Sequence, residues 1–480
     1  MKLWKRRTIL IFSIILFIIL APTIILYSSG YRFDFENFRV KKVGMIIIES
    51  RPKDINVFIN NKLANKRTPY KKSNLTPRIY NIDLKNDIYQ PWSKSLLVES
   101  QTVTWITDAL LFYKDPLKDV YAQESNIKES CISPDQNFYS YIHITEDNNA
   151  VLKLLNLKSR DNNNIFDLRV FTAKTFDKFN PNIITNIIWS NDSRKLILSL
   201  KDNKDVKHII IDIENPDNKI LINNNNLSDI NWDLNDSNFI YFMNNKNLEK
   251  LNINDQNINT IMAKNVSHYD LVSNSVIYTK ITEHDDEIIS SIYLINKNNS
   301  ENNLKGNLES INIINEDISE IKAQKDNLYI MLTKNGNLYL RDDNDMLKVS
   351  TNIKGFKWNN NKQFIFYNDN SIWHYKIEED KDIYHPQYQL NESAKLIELE
   401  SKIDFALWHP KNEHILYSSN NIINIIELDN RDTSNNNVLL KNVISDSVNP
   451  IFFNNNGNKI YHLESVKNNI FLTESTLYEY

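Results

Sequence analysis

His284, Asp285, Asp286 and Glu287 follow one another directly, and no other stretch of this 480-residue chain is so dense in side chains able to hold a metal ion or pass a proton. A metal site needs its donors at defined spacing on a rigid element. These four instead separate two strand-like apolar runs, 275–281 and 288–295, so they read as the charged tip of a hairpin. His409 and His414 are spaced like a pair on one helix face, yet they fall in a strand-like phrase and its turn, which points to a structural role. The 6 glycines, Gly30, Gly44, Gly306, Gly336, Gly355 and Gly457, are scattered. A phosphate loop, a dinucleotide fingerprint or a nucleophile elbow needs them clustered, for close backbone approach. The single Cys131 cannot form an intramolecular disulfide. No catalytic residue, metal ligand or cofactor is therefore expected, and the chain reads as a non-enzyme.

One charged group does suggest binding. Lys62, Lys66, Arg67, Lys71, Lys72 and Arg78 lie close in sequence, with Tyr70 and Tyr80 among them. Such a set suits anionic lipid heads or an anionic wall polymer, each near-surface charge contributing about 1 kcal/mol. The plainer alternative is a solvated loop face, because charge alone names no partner. Charge is also partitioned: residues 1–31 carry +4, 32–80 carry +8 and the remainder −16, for the net −4 of the chain. A basic segment precedes an acidic body, and no nucleic acid partner is expected.

The elements that must position these groups begin with an apolar stretch. From Thr8 to Tyr31 no residue is charged, and the run is long enough to span a bilayer. Lys2, Lys5, Arg6 and Arg7 stand directly before it, which argues for a cytoplasmic tip and an exported body. Ser28-Ser29-Gly30 would also suit a signal-peptide cleavage site, but signal-peptide apolar cores run about 7 to 15 residues and this one is longer. Residues 1–31 are read as an uncleaved single-pass anchor.

Residues 43–113 contain short strand-like runs separated by turn signals at 51–54, 60–62, 68–69 and 76–78, the pattern of a small β-sandwich. The order of pieces resembles the PEGA domain: Gly44 to Ser50 with Pro52, Val57 to Asn61, Thr68-Pro69, Leu75-Thr-Pro-Arg-Ile-Tyr80, Asp87-Ile-Tyr89 and Trp92. The name-giving stretch is Pro52-Lys53-Asp54-Ile55 here, and Arg78 replaces the usual Gly after Pro77. The resemblance implies a module of bacterial envelope and surface proteins, an interaction or spacer domain without catalytic residues. A polar linker, 114–129, is expected next.

From residue 130 onward one phrase recurs: an aromatic residue, a short polar stretch rich in Asn, Asp and Ser, then a compact apolar run. It begins at Trp189, Trp232, Trp358 and Trp408, with weaker copies at Cys131, Tyr269, Ala323 and Phe452. Spacings of roughly 35 to 57 residues bracket those of four-stranded propeller blades, and eight phrases imply seven or eight blades over 130–480. The tryptophans are read as filling between blades, in preference to a sugar-stacking platform. The phrase resembles the TolB-type repeat core, Trp-Ser-Pro-Asp-Gly-Lys, best at Trp189 to Lys195 and at Ser133-Pro134-Asp135. Its Gly is replaced by Gln136, Ser193, Ser237 or Asn412 and kept only at Gly457. Asn makes up roughly 15% of the chain, against a usual Gly content near 7%. Asn tolerates the left-handed backbone, so it is expected to serve turns where Gly would stand. The sequons at Asn74, Asn265 and Asn391 are expected by chance at this Asn content.

The expected protein is all-β: an N-terminal transmembrane helix, a PEGA-like β-sandwich, then a seven- or eight-bladed propeller. Its expected role is an extracytoplasmic scaffold in the bacterial cell membrane, binding an envelope protein or glycan. A propeller-based enzyme of glycosidase or lyase type, or a purely structural surface component, are the alternatives.

Overall fold

The computed structural model describes residues 3–34, 39–124, 126–175, 183–202, 205–222, 227–284, 287–301, 310–343, 345–360, 362–378, 388–444, 451–466 and 469–479. The apolar stretch forms helix α1 (Leu3–Ser28), of which Trp4–Ser28 is long and apolar enough to cross a membrane and is not buried against the rest of the chain. A hairpin, β1 (Tyr31–Asp34) and β2 (Arg39–Lys42), connects it to the sandwich.

The sandwich is built from β3 (Gly44–Arg51), β4 (Asn56–Ile59), β5 (Lys62–Leu63), β6 (Tyr70–Leu75), β7 (Arg78–Lys85), β8 (Trp92–Val98) and β9 (Val103–Leu110). One sheet has the order β6-β3-β9, the other β5-β4-β7-β8. Ile46, Ile48, Val57, Ile82, Leu84, Trp92 and Leu96 alternate inward and fill the space between them. Gly44 is needed for close approach, since a Cβ there would lie 2.2 Å from the Glu99 carbonyl oxygen.

Eight sheets follow in a ring. Seven are four-stranded meanders over 127–167, 183–221, 228–263, 268–314, 318–350, 355–398 and 403–441. The eighth joins 443–476 to a strand from far upstream, β10 (Leu117–Glu124), which pairs antiparallel with Asn469–Thr476 from Leu117↔Thr476 to Glu124↔Ile470. The segment 114–129 is thus no linker: β10 is the last strand of the eighth blade, and Ile127 opens the first. Its polar look has a physical cause. A blade's outer strand faces solvent, so Leu117 and Val120 are exposed and β10 lacks the apolar run that marks an inner strand.

Each aromatic phrase is one joint of this ring. The aromatic residue lies at or near the end of a blade's first strand, the polar stretch is the turn, and the apolar run is the second strand, wholly buried in Leu328–Thr333 and His414–Ser419. First strands of neighbouring blades touch, which sets them toward the axis. The seams are apolar clusters, from the first, which gathers Ile142, Trp189 and Leu198, to the last, where Tyr461 and Leu472 of the eighth blade meet Tyr139 and Leu155 of the first. The tryptophans also bond across the seams. Trp232, Trp358 and Trp408 donate their indole N–H to the carbonyls of Ile188, Lys322 and Lys357 in the preceding blade, at 3.2, 3.2 and 3.0 Å, and Trp189 donates to Ser140 Oγ at 3.0 Å. They hold blades together, as their regular placement implied.

Asn takes the role foreseen for it. Twelve of the twenty non-glycine residues with positive φ among the described residues are Asn, including the sequon positions Asn74, Asn265 and Asn391. In the blade phrase, Gln136, Ser193 and Asn412 adopt φ of 59°, 60° and 63°, close to the 74° of Gly457. A left-handed Gln is held at a cost of about 1–2 kcal/mol, only partly offset by the chain entropy Gly would add. Gln136→Gly is therefore expected to raise stability by about 0.5–1 kcal/mol, read as a higher urea midpoint. A lower midpoint would show that the Gln136 side chain contributes more than its backbone costs.

Candidate functional site

A dense buried polar arrangement lies where the sandwich meets the seventh blade. β8 alternates Trp92, Lys94, Leu96 and Val98 inward, so a lysine occupies a core-facing position. Opposite it, the third strand of the seventh blade, Ile422–Glu427, ends on Glu427, and the loop 428–435 folds back over β8.

Lys94 Nζ lies 2.6 Å from Glu427 Oε1, with both side chains almost fully buried. The ammonium also donates to the carbonyls of Asp429 and Thr433 at 2.7 and 3.1 Å, so its three protons are all engaged. Glu427 Oε2 accepts from Trp92 Nε1 at 2.8 Å, and Oε1 accepts from Asn435 N and Nδ2 at 2.9 and 2.7 Å. A buried ion pair is tolerated when every remaining donor and lone pair is satisfied, and here the hydrogen bonds are complete.

The loop is itself pinned. Arg431 grips Asp429 with two nitrogens at 2.9 and 2.7 Å and donates Nη1 to the Trp105 carbonyl at 2.6 Å. Burial pushes the Asp429 carboxyl up, but the Arg431 hydrogen bonds and charge outweigh it and hold the group below the usual carboxylate range. Ser95 N donates to Asp432 Oδ2 at 2.7 Å, and Gln90 Nε2 to the Val438 carbonyl at 2.6 Å. Phe112 packs among Leu416, Ile460 and Leu477, and Tyr113 N donates to the Leu477 carbonyl at 2.7 Å. The sandwich is seated on the propeller, not strung from it. One signal in the sequence pointed here: Lys94 breaks the inward apolar phase of β8.

The basic residues read as an anionic-surface contact are all exposed but do not form one patch. Lys62 is on β5; Lys71 and Lys72 adjoin each other on β6, opposite Ile47 and Ile46. Arg67 pairs with Asp54 at 2.9 Å and bonds Asn56, beside the Lys85 end of β7. Arg78 begins β7 and stacks over Tyr80 at 4.8 Å, so the two arginines stand about 20 Å apart at the rise of an extended strand. Lys66 lies in the loop before β6.

Of the acidic tip, Asp285 and Asp286 lie outside the described residues; His284 and Glu287 pair as the last residues of a hairpin's two strands. His409 and His414 are buried side by side, ring centroids 5.9 Å apart. Both nitrogens of His409 are used structurally: Nε2 donates to the Gly457 carbonyl at 2.9 Å and Nδ1 accepts from Lys411 N at 3.2 Å. Burial holds the His409 imidazole down at about 4 and His414 well below its ordinary value.

A cleft of about 390 Å³ opens between the third and fourth blades, lined by Phe239, Lys250, Asn252, Thr260, Lys297 and Asn298 among others. Lys250 lies 4.4 Å from the Phe239 ring centroid and donates to the Lys297 carbonyl, while Lys297 pairs with Asp233 at 3.1 Å. Burial lowers the pKa of Lys250, and the neighbouring Lys297 ammonium adds to the fall.

Residues 43–111 match the PEGA domain family. The match covers the sandwich from the residue before β3 to just past β9, so the domain seated on the propeller through Trp92 and Lys94 is the PEGA domain. No curated protein matches the chain. Among solved structures, the C-terminal WD40 domain of Sif2 aligns with 76% of this chain and 99% of its own at 14% identity and a TM-score of 0.45. A eukaryotic initiation factor aligns with 76% and 92% at 10% identity and a TM-score of 0.47. The Dos1 propeller aligns with 75% and 94% at 13% identity and a TM-score of 0.46. These are likenesses of fold, and no function is drawn from them.

Proposed function

We propose that this chain is a single-pass, membrane-anchored scaffold on the outer side of a bacterial cell membrane, whose propeller binds an envelope protein or glycan without turning it over. The observation that carries the reading is the seating of the propeller on the PEGA domain through the buried Lys94–Glu427 pair. A propeller held in one attitude above a membrane anchor presents its loops at a set height and angle, which serves recognition. The cleft between the third and fourth blades offers aromatic, amide and ammonium groups together, a lining suited to a polar ligand. Left-handed backbone at Gln136, Ser193, Asn412 and Gly457 supports a TolB-type blade, since this is where that repeat carries Gly.

Two measurements test the proposal. Protease added to intact cells should degrade the PEGA domain and propeller; a body that resists protease on whole cells, yet is cut after lysis, would sink the exported orientation. Chemical crosslinking followed by pull-down from the protein's own cells should retain a discrete envelope protein or glycan. Lys250→Glu with Lys297→Glu is expected to weaken its retention at least tenfold if the ligand uses the cleft. Retention of nothing beyond an anchor-only control would overturn the scaffold reading.

A further inference from the structure

Among the described residues the hairpin β1–β2 forms a two-stranded sheet of its own, although it stands between α1 and the PEGA domain. Its register is Tyr31↔Lys42, Arg32↔Lys41, Phe33↔Val40 and Asp34↔Arg39. Side chains alternate along a strand, so Tyr31, Phe33, Val40 and Lys42 share one face, and Arg32 and Lys41 share the other. On the first face Phe33 and Val40 stand directly opposite each other, about half exposed at 48% and 51%. A lone two-stranded hairpin is marginal in water, and an exposed Phe–Val pair makes this one worse.

Where the hairpin sits says what covers that pair. It is tied to the end of α1, and the end of α1 is tied to the PEGA domain. Val43 N donates to the Gly30 carbonyl at 3.0 Å, Gln101 Nε2 to the Ser29 carbonyl at 2.5 Å, and Arg32 Nε to Asn74 Oδ1 at 2.9 Å. The Arg32 guanidinium lies 3.7 Å over the Tyr27 ring and donates to the Tyr27 carbonyl, closing the helix end. Phe33 is thus five residues beyond Ser28, where the apolar helix ends, and the clamps leave it no route away. The charge is also of one kind. By sequence, the eight residues of the two strands hold four basic residues, Arg32, Arg39, Lys41 and Lys42, and one acid, Asp34.

We propose that the hairpin lies on the bilayer surface, with Phe33 and Val40 sunk at the boundary of headgroups and acyl chains and its basic residues at the level of anionic lipid phosphates. Lys42, on the face of Phe33 and Val40, lies 5.5 Å from the Tyr31 ring and has the reach to bring its ammonium up to the same level. The hairpin then works as a collar: an amphipathic element at the interface resists tilt of the helix, and through the clamps it sets the attitude of the PEGA domain and propeller. This rests on α1 being a membrane anchor.

The test uses the full chain reconstituted in phosphatidylcholine vesicles, with and without roughly one-third phosphatidylglycerol. In a Cys131→Ser background, Val40→Cys, and separately Phe33→Cys, carries an environment-sensitive fluorophore. Leu16→Cys reports on the helix, and Leu63→Cys, on the exposed β5, reports on water. Labels at 33 and 40 are expected to emit blue-shifted and to be quenched by nitroxide placed near the headgroups, more strongly with phosphatidylglycerol, while 63 is quenched by aqueous iodide. Lys41→Glu with Lys42→Glu should cut the lipid quenching at 40 by about half or more. Labels at 33 and 40 as open to iodide as 63 would overturn the collar. So would protection from iodide without lipid quenching, which would mean that protein covers the face. The helix label separates the two readings: with 16 quenched by lipid and 33 and 40 not, the anchor stands and the collar falls; with 16 unquenched, the anchor itself fails.

Discussion

Lys94→Ala is expected to destabilise the protein by about 3–5 kcal/mol and to loosen the propeller from the PEGA domain, because it strands the buried Glu427 carboxylate without its cation. Trp92 and Asn435 would still donate to that carboxylate, but neither carries charge. Two carbonyls, Asp429 and Thr433, would also lose a donor. The loss should appear as a lower denaturation midpoint and as new proteolysis at Phe112 and Tyr113, which are now buried against the propeller. Combining Lys94→Met with Glu427→Gln should recover most of the stability, since removing both charges removes the desolvation penalty along with the attraction. A single variant as stable as the parent, with no new cleavage, would refute the idea that this pair seats the propeller.

Acid should weaken the fold steeply. Burial holds His208, His409 and His462 neutral down to about 4, and His374 down to about 3. For a base whose folded pKa is depressed, the unfolded chain takes up a proton near pH 6.5 that the folded chain refuses, so stability falls as pH drops from about 6.5 toward 4. At pH 5 each such histidine costs about 2 kcal/mol. Glu129 runs the other way. Burial raises its carboxyl to about 7, only partly opposed by the hydrogen bond from Ile187 N, so its contribution is full below the unfolded value of 4.5 and is lost as pH rises through 7. On acidification it returns roughly what one histidine costs, leaving a net loss of several kcal/mol, a large share of the usual 5–15 kcal/mol stability. Urea midpoints of the detergent-solubilised chain at pH 7.5 and 5.0 should differ strongly. His462→Gln, which can keep a hydrogen bond to Ser475 Oγ in place of the 2.9 Å contact, should flatten the dependence by about one proton. Equal midpoints at the two pH values would refute the account.

The legible part of this protein is the part written locally. An apolar run of helical length is a property of consecutive residues, and so is a strand buried on both faces, such as Leu328–Thr333. The Asn turns could be read because αL tolerance belongs to the residue itself, as the positive φ of Asn412, Asn420 and Asn421 shows. β10 could not be read so: an outer strand half open to water carries no apolar period, and its partner lies more than 340 residues away. The basic residues from Lys62 to Arg78 are spread over the domain for a related reason. Seventeen residues of sequence wind through three strands of two sheets, and proximity along the chain does not survive that winding.

The sequence alone determined the architecture: a helix long and apolar enough to cross a membrane, a PEGA domain and a ring of blades, because each rests on periodicity within a few tens of residues or on a repeat of them. Only the tertiary structure decided how the parts are joined. Eight blades close because β10 completes the last, and the PEGA domain sits on the seventh because Lys94 finds Glu427 across the chain. Neither contact has a local signature, since each forms between surfaces that acquire their shape and burial only after both domains have folded.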